Sequence, residues 1–256
     1  MGEDRVTMVR LGPLRLWMAR AEREWGFAFE YGDGANVLDI AQIPEDVVAS
    51  NLNWTKILFA KAPREYQLKP AVPDRPVVVK PSFPVIIPEG EVGTFYCLLP
   101  CFVKIFVSEG LTDNELLTIP SRTLSDTWFG TPTDGELCYS LPFAAERNPE
   151  DLEPLPHHII CPIEVQNRSE TDLVFEKLCF RPHFVGIYSG GSQLWSSRVS
   201  IQHEGFYKGT TVRYRNVPPD GEPNLIQVSK PLKREERGLS RLTFSSGFGK
   251  DIIFGK

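Results

Sequence analysis

Positive charge is in short supply: 28 Lys and Arg stand against 33 Asp and Glu, for a net charge of −5. A nucleic-acid backbone is bound through a basic face, so DNA and RNA are excluded as expected partners. Long apolar runs are missing too. The longest, around Phe95 to Val107, is broken by Pro100 and Lys104 and falls well short of the ~20 residues that cross a bilayer as a helix. The opening Met1-Gly2-Glu3-Asp4 is acidic where a secretory signal is basic, which predicts an unexported, soluble chain. Five cysteines, an odd number at irregular spacing, predict reduced thiols in a cytoplasmic setting. In that compartment the glycosylation patterns at Asn53-Trp54-Thr55 and Asn167-Arg168-Ser169 carry no meaning. No stretch has the length and period of a long amphipathic helix, which removes helical bundles and doubly wound folds.

Turn formers are abundant. The 22 Pro and 20 Gly in 256 residues are scattered between short apolar runs, the mark of many strands joined by turns. Leu14, Leu16 and Met18 alternate with Arg15, Trp17 and Ala19 as in a half-exposed strand. Trp25 to Tyr31 reads as its hairpin partner across the polar turn Arg20 to Glu24. Pro44-Glu45-Asp46 predicts one or two helical turns. Val77-Val78-Val79 is β-prone, and the flanking Pro76, Pro81, Pro84 and Pro88 predict an edge strand. Thr94 to Leu99 and Phe102 to Val107 have core density. Ser189-Gly190-Gly191-Ser192 predicts a further hairpin, and Pro231 to Arg237, ended by Gly238, a short basic helix.

Together these elements predict an all-β chain: an antiparallel β-sandwich architecture of two packed immunoglobulin-like halves with one or two short helices. The expected division is residues 1–115, residues 116–229 with the central hairpin, and a basic helix with a docking tail over 230–256.

Chemistry-bearing side chains are densest from Asp126 to Phe143. Thr131-Pro132-Thr133-Asp134-Gly135 is a turn by composition, flanked by strand-compatible residues, so the stretch predicts a β-hairpin. Asp126, Trp128, Glu136 and Tyr139 are its candidate binding residues. Asp126, Asp134 and Glu136 offer paired carboxylates for acid and base work if folded into a cleft. Trp128, Phe129 and Tyr139 offer rings for stacking or for core packing. Cys97 and Cys101 have the spacing of a metal half-site or of two core thiols. His157, His158, Cys161 and His183 are a candidate zinc set, although neighbours on a strand point to opposite faces. No nucleophile elbow is present. Gly247-Phe248-Gly249-Lys250 lacks the remainder of a phosphate loop, and no cofactor is predicted.

Three segments in order, Pro73 to Pro81, Asp126 to Tyr139, and Cys161 to Asn167 with its following hairpin to Trp195, resemble the family called domain of unknown function 432 over roughly residues 10 to 230. Cys161 before Pro162 departs from the pattern expected there. The resemblance implies no activity and no catalytic residues. Some relatives lie beside mechanosensitive-channel genes, which implies a membrane-associated protein partner. The leading expectation is a non-enzymatic binding or interaction module. A hydrolase or carbohydrate-active enzyme using the hairpin carboxylates and a small metal-binding sensor are the alternatives.

Overall fold

The computed structural model describes residues 5–34, 36–60, 65–109, 112–205, 209–220, 224–233, 244–246 and 250–251. Strands carry the fold. The first six are β1 (Arg5–Leu11), β2 (Leu14–Arg20), β3 (Glu24–Tyr31), β4 (Leu38–Pro44), β5 (Thr55–Leu58) and β6 (Tyr66–Ala71). Five follow to mid-chain: β7 (Val77–Val79), β8 (Val85–Ile87), β9 (Val92–Pro100), β10 (Phe102–Glu109) and β11 (Thr112–Pro120). Next come β12 (Ser125–Gly130), β13 (Gly135–Ser140), β14 (His158–Asn167), β15 (Leu173–Phe175), β16 (Lys177–Phe180) and β17 (Ile187–Gly190). The last are β18 (Gln193–Ser196), β19 (Val199–His203), β20 (Thr210–Tyr214), β21 (Ile226–Ser229), β22 (Phe244–Ser246) and β23 (Lys250–Asp251). Among the described residues the only helical turns are of the 3-10 type. The turn expected after Pro44 is one of them, Glu45–Val47, closed by Val48 N donating to Glu45 O at 3.0 Å. The helix expected from Pro231 lies largely outside the described residues.

The chain forms two compact units, each discontinuous in sequence. The first comprises Met1–Pro70, Phe102–Thr123 and Leu155–His157. The expected boundary at residue 115 falls inside β11, within this unit. Its five-stranded sheet has the order β4-β1-β2-β3-β5, and its three-stranded sheet the order β11-β10-β6. The sheets share one core: Val9, Leu14, Leu16, Met18 and Phe27 meet Val103, Ile105 and Ile119. Leu14, Leu16 and Met18 are buried and Arg15 is exposed, as their alternation predicts, but Trp17 on the other face is buried as well. Each such side chain contributes roughly 1.5–3 kcal/mol on burial. The β2–β3 turn closes through Ala21 N donating to Glu24 O at 2.9 Å.

The second unit, Ala71–Cys101, Leu124–Pro154 and His158–Lys256, is also a sandwich. One sheet has the order β20-β19-β14-β18-β17-β21, with β9 on the other side of β14. The facing sheet has the order β12-β13-β7-β16-β22-β23, and β15 with β8 forms a small third sheet. Phe95, Cys97, Leu99, Ile159, Cys161 and Ile163 meet Val77, Val79, Leu178 and Phe180 in the core. Most pairs are antiparallel, but β14 pairs in parallel with β18 and then β19, and β13 in parallel with β7.

The edge-strand expectation for Val77-Val78-Val79 is overturned. β7 is central, flanked by β13 and β16, and all three valines are buried. Its prolines stand just outside a three-residue ladder. A proline lacks a donor and keeps its acceptor: Pro76 O accepts from Tyr139 N at 2.8 Å, and Val78 O from Leu141 N at 3.2 Å. β15 and β16 are separated only by Glu176, yet they join different sheets.

Candidate functional site

The stretch from Asp126 to Phe143 contains the predicted hairpin. β12 and β13 pair with Asp126 opposite Tyr139, Trp128 opposite Leu137, and Phe129 opposite Glu136. Gly130 supplies a φ of 118°, open to glycine, at the end of β12. Thr131 Oγ1 accepts from Asp134 N at 3.0 Å across the loop. Cross-strand partners share a face and neighbours along a strand do not. Asp126, Trp128, Leu137 and Tyr139 therefore lie on one face, and Phe129, Glu136 and Cys138 on the other. Three of the four predicted binding residues come together, and Glu136 is separated from them.

On the first face, Trp128 is 53% exposed and Leu137 45% exposed. The indole is nonetheless oriented, because Trp128 Nε1 donates to Thr131 O at 2.9 Å. The ring also lies over Gly135, where an added Cβ would come 2.4 Å from Nε1. Beside this apolar pair is a polar cluster that spacing alone did not show. Tyr139 Oη donates to Asp74 Oδ1 at 3.0 Å, and Arg75 Nη1 donates to Asp126 Oδ1 at 3.3 Å. The Arg75 guanidinium also lies 5.2 Å from the Tyr139 ring centre. Burial, and then the hydrogen bond to Asp74, push the Tyr139 phenol up to about 12.

The opposite face is covered. Phe129, Cys138, Val78 and Cys179 form a buried cluster, with the Lys177 ammonium 5.3 Å from the Phe129 ring centre. Cys138 Sγ and Cys179 Sγ are 3.5 Å apart. At the rim, Arg181 Nη2 donates to both Glu136 carboxylate oxygens, at 2.7 and 2.6 Å. The hydrogen bond with Cys138, burial and the Glu136 charge together push the Cys179 thiol up. Of the three carboxylates proposed for acid and base work, Asp126 and Glu136 point to opposite faces, each bound to its own arginine. Asp134 is exposed in the loop.

The histidine set is dispersed. The His157 ring fills the space beside Gly12, where an added Cβ would lie 2.2 Å from Nδ1. His158 and Cys161 have opposite parity on β14. His158 stacks edge-on with Phe143 at 5.0 Å, while Cys161 enters the core opposite Cys97. His183 lies 4.3 Å from the Phe184 ring, and burial, with Lys233 and Arg181 nearby, lowers it to about 4. Cys97 and Cys101 are both buried core residues. Burial, and then Cys161, push the Cys97 thiol well up. Asn167 is a buried joint: its amide donates to Ile87 O and Thr171 O, both at 2.8 Å, and its Oδ1 accepts from Ser169.

Arg75, Asp74, Arg181 and the Cys138–Cys179 pair carry no local signal, because their partners lie 41 to 65 residues away in sequence. Among the described residues no helix is long and apolar enough to cross a membrane. Neither a curated protein nor a solved structure matches the chain. A family model does match, across residues 1–248, a span that takes in both units and the whole hairpin. The chain belongs to the family described as Protein of unknown function (DUF432).

Proposed function

We propose that this protein is a non-enzymatic binding module that takes a protein partner on the Trp128 face of the β12–β13 hairpin. The observation that carries the reading is the exposed Trp128–Leu137 pair, which spans the end strand β12 and its neighbour β13. An indole fixed by its own N–H presents apolar area with little ordering left to lose on binding. A tryptophan buries ~200 Å² when fully covered. Covering the exposed half, about 100 Å², is worth about 2.5 kcal/mol, the size of an interface hot spot. Arg75 and Tyr139 beside it are residue types enriched at such interfaces. Among the described residues β12 is the last strand of its sheet, so an extended segment of the partner can add to that edge while its side chains meet Trp128.

The partner's identity is open to capture from native cells, with the membrane fraction solubilised in detergent beside the soluble fraction. That design also tests the expected membrane association. The intact chain should retain a specific partner, and Trp128→Ala should lose it while melting within about 3 °C of the parent, a shift that corresponds to less than about 1 kcal/mol in a chain of this size. Equal capture by both proteins would refute the assignment of the face.

A further inference from the structure

The covered face of the same hairpin carries a second arrangement, independent of the partner reading. One oxygen of Glu136, Cys138 Sγ and Cys179 Sγ all lie within 4.8 Å of one another, and the two sulfurs are 3.5 Å apart. Two thiolates bound tetrahedrally to one zinc at ~2.3 Å stand about 3.8 Å apart, and a carboxylate oxygen binds at ~2.0–2.2 Å. The three groups therefore reach one cation by small side-chain rotations, without movement of the sheet. We propose that Glu136, Cys138 and Cys179 form a binding site for a thiophilic divalent cation, with zinc the natural occupant.

The donor set selects the ion. Two sulfurs and one oxygen suit zinc or cadmium and do not suit magnesium or calcium, which take oxygen ligands. Three protein ligands leave a fourth position for water, the pattern of an open zinc site. Access runs past Glu136, whose side chain is 34% exposed.

The charges balance as well. Before binding, Glu136 is offset by Arg181. Binding forms two Zn–S bonds and releases two thiol protons to solvent, so the +2 of the metal replaces two protons and the net charge of the buried cluster is unchanged. Arg181 donates to both oxygens of Glu136 through one nitrogen. A rotated carboxylate keeps one of those bonds while its other oxygen turns to the metal, an outer partner of the kind that orients metal ligands. In the second thiol pair, Cys97 and Cys161 are direct cross-strand partners on β9 and β14. It lies among aliphatic and aromatic core residues, and no group of three ligating side chains that includes it is found among the described residues.

The test is a cadmium titration of the full chain, purified under reducing conditions and stripped with chelator, read by the ultraviolet thiolate-to-cadmium absorption. The expected result is a band that saturates at one cadmium per chain and is displaced by zinc. It should vanish in Cys138→Ser and in Cys179→Ser and survive in Cys97→Ala. Glu136→Gln, at the rim, keeps the test decisive if a serine variant fails to fold, and should weaken cadmium by about tenfold or more, the lower end of what is lost when a metal site is perturbed. Absence of a band in the parent, persistence of the band in Cys138→Ser, or unchanged affinity in Glu136→Gln would each overturn the site.

Discussion

The two faces of the β12–β13 hairpin are made from alternating residues of the same two strands, yet one is sealed and the other is open. Phe129 is 4% exposed and its neighbour Trp128 is 53% exposed. Hydrophobicity does not separate them, since both are large aromatics. The difference lies in what each face meets. Phe129 and Cys138 point toward the side occupied by Val78 and Cys179. On the other face, Tyr139 still packs against the main core of the second unit, while Trp128 and Leu137 remain largely exposed. A shift of one residue in register would exchange the two sets, so the pairing that seals the thiol face also presents the tryptophan.

The sharpest way to break this comparison is a pair of truncations. Phe129→Ala should cost about 3–4 kcal/mol as a buried aromatic, whereas Trp128→Ala should cost less than about 1 kcal/mol. Urea unfolding of both variants decides the point, and equal losses would mean that the faces are not distinct. Next in size is the contrast between the two ion pairs. Arg181→Ala leaves the partly sheltered Glu136 without its partner and should cost about 2 kcal/mol, between the values for buried and for surface pairs. Asp126→Asn should cost less than about 0.5 kcal/mol, because Asp126 is 55% exposed. Urea midpoints read both, and equal effects would contradict the difference in shelter.

Gly135→Ala sharpens the comparison further. Its new methyl group meets the Trp128 ring at 2.4 Å and the Phe129 carbonyl oxygen at 2.8 Å, so the indole must leave the loop and the hairpin backbone must shift with it. Stability should fall by about 1 kcal/mol, the tryptophan emission should shift, and partner capture should weaken even though Trp128 is still present. Unchanged emission would mean that the ring is not seated there. The smallest effect is on pH dependence. The Tyr139 phenol ionises at about 12 when folded and at about 10 when unfolded. Its contribution to stability is complete below pH 10 and is lost as pH rises through about 12. Ultraviolet titration of the folded chain should show one late-ionising tyrosine fewer in Tyr139→Phe, and Asp74→Asn should bring the Tyr139 transition to lower pH.

The hairpin itself was legible in the sequence because its causes are local: Pro132 and Gly135 mark the turn, and the flanking residues suit strands. Which of Trp128 and Phe129 would be buried was not legible, since β7 and β16 decide it from about 50 residues away on either side. The flanking prolines point to an edge, yet β7 sits inside its sheet because the sheet uses Pro76 only as an acceptor. The histidine set looked promising by spacing, but strand parity sends His158 and Cys161 to opposite faces. The thiol and carboxylate cluster was invisible, because Cys138 and Cys179 meet only through the sheet order β13-β7-β16. Asn167 matched a glycosylation pattern, yet both of its amide hydrogens are used inside the protein.

The claim that the open face is a partner surface is tested most directly by photo-crosslinking in living cells. A crosslinking side chain at position 137, opposite an intact Trp128 on the same face, is compared with one at Arg213, exposed on β20. The account predicts a discrete adduct with one protein from position 137 and none of that adduct from position 213. No adduct from position 137, or the same adduct from both positions, would contradict it.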